Sequence, residues 1–123
     1  MTNDTTAELV RAYYGSWKDG IASFDEARVR DILAPDLEFE GPIAGKRTGA
    51  EPFIKGLARF VDSRRDHRVL QEVQGGNQAA CLYDADLPGG TMRFAEFFRV
   101  EGDRIQSIKL VYDADQYRSL GGR

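Results

Sequence analysis

Four strand-like runs fill the second half of the sequence, and the turns between them are too short to hold a helix. The runs lie at about 68–73, 78–87, 91–100 and 104–112, with turns at 75–77, 89–90 and 101–103. The Gly, Asn and Asp residues of these turns are typical of tight hairpins. Consecutive strands joined so closely pair antiparallel, because a parallel pair needs a long crossover. The pattern therefore predicts an antiparallel meander.

The first half of the chain predicts three helices. Each begins with a Ser or Thr followed three residues later by Glu, which is the pattern of a capping box. The three pairs are Thr5 with Glu8, Ser23 with Glu26, and Thr48 with Glu51. Apolar side chains recur at helical spacing behind each signal, so each helix should bury one face.

Gly and Pro indicate where these helices end. The first covers about 7–18, and Gly20 can end it. The second stops at Ala34, because Pro35 lacks an N–H donor and disfavours helix in the residue before it. A short strand follows at 37–40, and the third helix ends before Arg64.

The order helix, helix, strand, helix, sheet predicts an α+β domain whose helices pack on one face of the sheet. The chain has 123 residues, of which 41% are hydrophobic, which suits one domain over 1–123 with its core at about 7–113. A domain of this length buries roughly two-thirds of its unfolded surface, so it needs no disulfide or metal to hold its core.

Composition argues against several partners. The 17 basic and 20 acidic residues are mixed along the chain, and the densest basic run, 59–68, also contains Asp62 and Asp66. That run indicates a solvated face rather than a nucleic-acid site. No apolar run approaches the roughly 20 residues of a membrane span, and residues 1–6 do not resemble a signal peptide. We expect a cytoplasmic protein that binds neither nucleic acid nor membrane.

Residues that bind metals are scarce. Cys81 is the only cysteine and His67 the only histidine, which excludes an internal disulfide, a multi-cysteine zinc site and a two-histidine metal site, but not an all-carboxylate one. We expect Cys81 to be a small buried hydrophobe and His67 to be exposed. No glycine-rich phosphate loop or axial-ligand motif is present, so we predict no metal and no cofactor.

Glu96 is the most informative residue of the sequence. In the strand at 91–100 the even positions are Met92, Phe94, Glu96, Phe98 and Val100, so a carboxyl group shares the apolar face. Desolvation there would raise its pKa. Two interpretations stay open: an acid in a pocket, or a glutamate at the sheet edge that reaches solvent or an arginine.

The preceding hairpin determines which side chains lie near Glu96. A two-residue loop at Gly89 and Gly90 would set Tyr83 opposite Glu96 and Asp86 opposite Arg93, with Asp84 and Asp86 facing away from the core. A three-residue loop would reverse the faces. In the first register the phenol of Tyr83, with Tyr13 or Tyr14, could form an oxyanion-binding group beside a protonated Glu96, or these rings could simply pack.

Three segments carry a family resemblance: AYYGSWKDG, ILAPDLEFEGPIAGKRTGAEPFIKGL and MRFAEFFRVEGDRIQSIKLVYD. In their order the chain resembles the SnoaL-like and ketosteroid isomerase-like domains of the nuclear transport factor 2-like superfamily. The resemblance implies a curved antiparallel sheet wrapped with three helices into a cone around an apolar pocket. The residues then expected to line that pocket are Tyr14, Trp17, Phe39, Phe53, Leu57, Phe60, Phe94, Phe98, Leu110 and Tyr112.

The resemblance also implies roles for individual residues. Tyr13 matches the oxyanion-hole tyrosine of ketosteroid isomerases, and Glu96 matches their protonated aspartic acid. Their general base precedes a proline, and Gly41 holds that position here, while Glu40 should face away. Steroid isomerisation should therefore not proceed usefully. The Asp-Arg-Asp triad of limonene epoxide hydrolases is not matched either, since we identify no inward arginine or second acid.

Three functions follow as hypotheses. The first is an enzyme that performs acid–base chemistry on a small apolar molecule, using Glu96 with Tyr13 and Tyr83. The second is a binding module that holds such a molecule without turnover, which Gly41 favours. The third is a structural homodimer paired through the sheet, where Phe97, with Leu82 and Ala95, forms an apolar strip on the outer face.

Overall fold

The structure is a computed structural model that describes residues 3–122. In this part of the chain there are four α-helices, one short 3-10 helix and six strands. Their bounds are α1 Asn3–Gly15, the 3-10 helix Ile21–Ser23, α2 Glu26–Ile32, β1 Leu33–Gly41, β2 Gly45–Thr48, α3 Ala50–Ser63, β3 Arg65–Gly75, β4 Gln78–Leu87, β5 Gly90–Glu101, β6 Arg104–Val111 and α4 Ala114–Ser119.

The strands form one curved, unclosed sheet in the order β2-β1-β6-β5-β4-β3. Strands β3 to β6 pair antiparallel in sequence order, which confirms the predicted meander and the α+β class. β1 pairs with β6 in parallel, with Phe39 beside Ile108, and β2 pairs with β1 as an edge hairpin. Neither pairing was predicted, because β1 and β6 are about 70 residues apart in the sequence and residues 45–48 were not recognised as a strand.

The helices lie where the sequence places them, but all three capping predictions are wrong in detail. α2 is capped by Asp25, whose carboxylate accepts from the backbone N–H of Arg28 at 3.1 Å, rather than by Ser23. α3 is capped by Gly49 at φ +114°, since Thr48 is the last residue of β2. α1 begins at Asn3, which places Thr5 inside the helix, and it ends at Gly15 rather than near residue 18.

The junction between α2 and β1 also differs from the prediction. α2 ends at Ile32, and Pro35 lies inside β1 rather than just after the helix. Leu33 already pairs with Ile105 of β6, and the Arg104 guanidinium donates to the carbonyls of Asp31 and Leu33. Pairing with the sheet therefore ends the helix two residues earlier than Pro35 alone requires.

α4 was not predicted, and it packs against the meander after the last strand. The carboxylate of Asp113 accepts from the backbone N–H of Gln116 at 2.9 Å and caps the helix, and Tyr117 is buried. The backbone of Gly89 also donates to the Leu120 carbonyl at 2.8 Å, which ties the end of α4 to the β4–β5 turn.

The β4–β5 hairpin turns one residue earlier than expected. Leu87 pairs with Gly90, so the loop consists of Pro88 and Gly89, and Tyr83 lies opposite Phe94 rather than Glu96. The partner numbers shift by two, which leaves every side chain on its predicted face.

On the outer face of this hairpin, Asp84 pairs with Arg93 at 2.8 Å, and Asp86 pairs with Arg68 at 2.9 Å. Asp84 and Asp86 therefore do face away from the core, as predicted, but the predicted pair of Asp86 with Arg93 is wrong. Phe97 lies on the same face and is 48% exposed. The predicted pairing of two chains through this face stays a prediction.

Candidate functional site

A cavity of about 470 Å³ lies between the inner face of the sheet and the helices. α1 and α3 form one side of it, the β1–β2 hairpin forms its open end, and β4, β5, β6 and α4 contribute the rest. Its lining is mainly aromatic and aliphatic, which is typical of a site for a small organic molecule. The lining residues are Tyr13, Trp17, Phe39, Ile43, Ala44, Arg47, Pro52, Phe53, Gly56, Leu57, Arg59, Phe60, Tyr83, Phe94, Glu96, Leu110, Tyr112 and Tyr117.

Eight of the ten predicted lining residues line this cavity. The two exceptions are Tyr14 and Phe98, whose rings pack against each other at 5.8 Å in the core. The sequence reasoning missed Gly56, which lies one turn after Phe53 on α3 and could have been found from helical spacing. It also missed Tyr117, because α4 was not recognised.

Glu96 lies at the buried end of the cavity. Its side chain is on the inner face of β5, and the residue is 2% exposed, so the expectation of an acid on the apolar face is correct. Two consecutive tyrosines of α1 reach it: the Tyr14 hydroxyl donates to Oε1 at 2.6 Å, and the Tyr13 hydroxyl donates to Oε2 at 3.4 Å. No arginine or lysine takes part in these contacts.

The position of α1 relative to the sheet makes this contact possible. The hydroxyl of Thr6 is buried and donates to the carbonyl of Gly76 in the β3–β4 turn at 2.9 Å. This bond fixes one end of α1 against the sheet, and about two turns later Tyr13 and Tyr14 approach Glu96 from neighbouring positions on the helix. Helix and strand thus each supply part of the hydrogen-bonded group.

Burial raises the pKa of Glu96 to about 7, and the hydrogen bonds from Tyr14 and Tyr13 oppose that rise. Burial also raises the pKa of both tyrosines well above the usual value, and the nearby charge of Glu96 raises it further. The phenols therefore remain neutral donors at neutral pH, while Glu96 is present in both protonation states. A carboxyl group in this condition can take or give a proton.

Tyr83 lines the cavity near Glu96 without being its cross-strand partner. Its ring stacks on Phe94 at 5.1 Å, and Cys81 occupies the place opposite Glu96. The pKa of Tyr83 is raised first by burial and then by the charge of Glu96. Cys81 is 2% exposed, which confirms it as a small buried hydrophobe.

The expectation that His67 is exposed is wrong. Its ring is partly buried and packs at 5.0 Å or less from the rings of Tyr14, Trp17 and Tyr83. Burial, followed by the charge of Arg64, lowers the pKa of His67 to about 4. β3 begins at residue 65 and carries this ring inward, which the charged sequence around it gave no reason to expect.

Arg64 also departs from the predicted solvated face. It is 4% exposed, its guanidinium lies 5.0 Å from the centre of the Trp17 ring, and it donates to the Trp17 carbonyl. The cation–π contact and this hydrogen bond stabilise the buried guanidinium. The basic run therefore contains one structural arginine that supports the wall of the cavity at Trp17.

The expectation that no arginine faces the cavity is wrong for two further arginines. Arg47 on β2 and Arg59 on α3 are exposed residues that line the open end of the cavity. Arg47 lies opposite Phe39 in the β1–β2 hairpin. Among the described residues that line the cavity, Glu96 is still the only carboxylate, so the second acid of an epoxide hydrolase triad is not present in this lining.

In the structure, too, no general base is found at position 41 or beside it. A Cβ atom at this position would come 3.0 Å from the Phe39 ring, which covers the backbone here. Glu40 is exposed, as expected, and Glu38 pairs with Arg99 on the surface. Neither neighbouring glutamate is among the residues that line the cavity.

The described residues offer no built metal site. Within 3–122, no three His, Cys, Asp or Glu side chains come together as metal ligands would. In the same part of the chain, no helix has the length and apolar character needed to cross a membrane.

Solved structures resemble this fold closely. A steroid delta-isomerase from Pseudomonas aeruginosa superposes with a TM-score of 0.78 at 19% identity, covering 95% of this chain and 86% of that one. A candidate SnoaL-like polyketide cyclase from Jannaschia sp. CCS1 gives 0.79 at 11% identity, with 96% and 92% covered. An NTF2-like protein of unknown function from Cytophaga hutchinsonii gives 0.74 at 21%, with 94% and 93% covered.

The fold is therefore that of the NTF2-like proteins. At these identities the likeness shows the fold and not the activity. The model of the SnoaL-like domain matches residues 10–108, and the chain belongs to this family. Among curated proteins, none matches this sequence significantly.

Proposed function

We propose that the cavity binds a small, mostly apolar molecule that carries a carbonyl group, and that Glu96 transfers a proton to or from it. The observation that carries this proposal is a fully buried carboxyl group with a pKa near 7 at the end of a cavity of about 470 Å³. Free carboxyl groups are almost wholly ionised at neutral pH, so the shift serves proton transfer in both directions.

The chemistry follows from the positions of the side chains. Ionised Glu96 accepts a proton from the carbon next to the carbonyl, and the electron pair of the broken C–H bond moves to the carbonyl oxygen as an enolate. Tyr83 lines the same cavity and supplies a phenol donor for that oxygen, and Tyr13 supplies a second one when Glu96 has taken up the proton and no longer needs its long hydrogen bond from Tyr13. Glu96 then returns the proton to the same or another carbon. Tyr14, which is not on the lining, holds the carboxylate in place at 2.6 Å.

Hydrogen–deuterium exchange tests this proposal without knowledge of the natural substrate. A panel of small cyclic and aryl ketones is incubated with the protein in D2O, and loss of the proton next to the carbonyl is followed by NMR. We expect faster exchange for at least one ketone with the wild type and none with Glu96→Gln, because the amide cannot exchange a proton in this range. Glu40→Gln, which changes an exposed carboxyl group on β1, is the matched control and should behave as wild type.

A second variant tests whether exchange occurs in the cavity. A side chain at Gly56 of α3 would meet no heavy atom within 4 Å of its Cβ, and Gly56 lines the cavity, so Gly56→Leu should fill it while improving helix propensity. We expect this variant to fold and to lose exchange. Exchange that persists in both Gly56→Leu and Glu96→Gln would contradict the proposal.

The alternative is a binding module that holds the same molecule without chemistry. Gly41 favours it, because the base of the ketosteroid isomerases has no counterpart on this lining. Native mass spectrometry after incubation with a small-molecule extract separates the two functions. A stoichiometric adduct that shows no exchange or turnover supports the binding module, and an adduct that is converted supports the enzyme.

A further inference from the structure

Two arginines at the open end of the cavity pair with no carboxylate among the described residues. The side chains of Arg47 and Arg59 form no ion pair with any residue of 3–122, although both are exposed on the lining. Several other arginines of this part of the chain do pair with acids. These are Arg30, Arg68, Arg93, Arg99 and Arg118.

The positive charge at this end of the cavity is local. The whole chain has a net charge of −3, so bulk composition does not account for it. Within the described lining, the only other charged side chain is Glu96, which is buried. The cavity therefore combines a positive mouth, at which both arginines are exposed, with an apolar lining and one buried carboxyl group.

We propose that this cavity selects an amphiphilic anion: a molecule with an apolar ring system or chain and a carboxylate or similar acidic group. Arg47 and Arg59 bind the acidic group at the mouth, where a guanidinium matches its two oxygens. This inference rests on the proposed function, since it names the class of ligand for the same cavity.

The same charges fix the orientation of the ligand. An acidic group placed against the ionised form of Glu96, which the proposed reaction requires, would meet a like charge in a desolvated site, which is costly. The ligand therefore enters with its uncharged end first, and that end carries the carbonyl to Glu96. The distance between the acidic group and the reacting carbon then becomes a determinant of specificity.

Two fluorescent dyes that share one skeleton test this inference. N-phenyl-1-naphthylamine is neutral, and 8-anilinonaphthalene-1-sulfonate carries an anionic group on the same rings. Dissociation constants for both are measured by fluorescence with the wild type, Arg47→Gln, Arg59→Gln and the double variant. Arg28→Gln, an exposed arginine of α2 that is not on the lining, is the matched control.

We expect each lining variant to weaken binding of the sulfonate dye about fivefold, and the double variant about 25-fold, as for a partly exposed charge pair. Binding of the neutral dye should not change, and Arg28→Gln should leave both dyes unaffected. High salt should reduce the preference of the wild type for the anion, because exposed charges are screened.

Failure of this inference is distinguishable from failure of the proposed function. If both dyes bind, and Gly56→Leu weakens both, but the double variant keeps the wild-type ratio of affinities, the anion preference is overturned while the cavity remains a binding site. If neither dye binds the wild type, or Gly56→Leu weakens neither, both the inference and the proposed binding in this cavity are overturned. Circular dichroism confirms that each variant is folded.

Discussion

Replacing Glu96 by Gln should change how stability depends on pH. Burial raises the pKa of Glu96 to about 7 in the folded protein, from its ordinary value of 4.5 in the unfolded chain. As the pH rises from 4.5 to 7, the unfolded chain releases this proton while the folded protein keeps it. The free energy of unfolding therefore falls over this range, and at about 1.4 kcal/mol per pKa unit the loss approaches about 3 kcal/mol above pH 7.

Urea unfolding of the wild type and of Glu96→Gln, followed at intervals from pH 4.5 to 8.5, measures this effect. The amide has nearly the same shape, and its constant effect on stability cancels when the difference at each pH is referred to that at pH 4.5. Near Glu96, burial holds the pKa values of Tyr13, Tyr14, Tyr83 and Cys81 above their usual ranges, so these groups stay neutral below pH 8.

His67 titrates in an overlapping range with the opposite sign. Its pKa is lowered to about 4 by burial, so its contribution to stability is lost as the pH falls from 6.5 towards 4. The free energy of unfolding of the wild type should therefore vary less with pH than either group alone would cause. Because His67 is present in both proteins, it cancels in their difference.

We expect Glu96→Gln to gain about 3 kcal/mol relative to the wild type between pH 4.5 and 8.5. Glu40→Gln, which changes an exposed carboxyl group, should follow the wild type at every pH. A difference between Glu96→Gln and the wild type that stays constant over the whole range would refute the reasoning, because Glu96 would then ionise equally easily in both states.

Three further predictions concern the surroundings of the site and the fold. Tyr14→Phe removes the shorter hydrogen bond to the Glu96 carboxylate and should raise the pKa of Glu96 in the same pH series, and Tyr13→Phe should raise it less. Cys81, with a pKa raised to about 11 by burial, should react with Ellman's reagent only when the protein unfolds. Gly89→Ala should lower the free energy of unfolding by about 1 kcal/mol in urea, because its methyl group would come 3.1 Å from the backbone of Leu120, the residue at the C-terminal end of α4.

Each of these predictions has a control or an outcome that contradicts it. Tyr112→Phe removes a phenol from the lining that does not bond to Glu96, and it should leave the pKa of Glu96 unchanged. Rapid labelling of the native protein would show that Cys81 is accessible. Gly75→Ala adds a methyl group where no heavy atom lies within 4 Å, so a loss of stability equal to that of Gly89→Ala would contradict the packing argument.

Local patterns in the sequence predicted the features that depend on neighbours along the chain. Turns without room for a helix required an antiparallel meander, and strand alternation placed Glu96 on the buried face. The predicted faces are correct although the predicted hairpin loop is wrong. The cross-strand partners shift by two residues, and the side chains of a strand alternate between its faces with a period of two. Helical spacing likewise put Trp17, Phe53 and Phe60 on the apolar faces of the predicted helices, and all three line the cavity.

Features that depend on distant parts of the chain were decided only by the tertiary structure. The parallel pairing of β1 with β6 joins segments about 70 residues apart, and it ended α2 before Pro35. Which tyrosine binds Glu96 more closely depended on how α1 crosses the sheet. His67 was drawn inward although its sequence neighbours are charged.

The positive charge at the mouth of the cavity also depends on the tertiary structure. Arg47 and Arg59 belong to an edge strand and a helix, and neither element by itself shows that the two side chains line one opening. Periodicity determines which face of an element a residue occupies. Which other element lies opposite that face depends on loop closure and packing of the whole chain, so the partners of the buried acid and the charge at the mouth could be seen only in three dimensions.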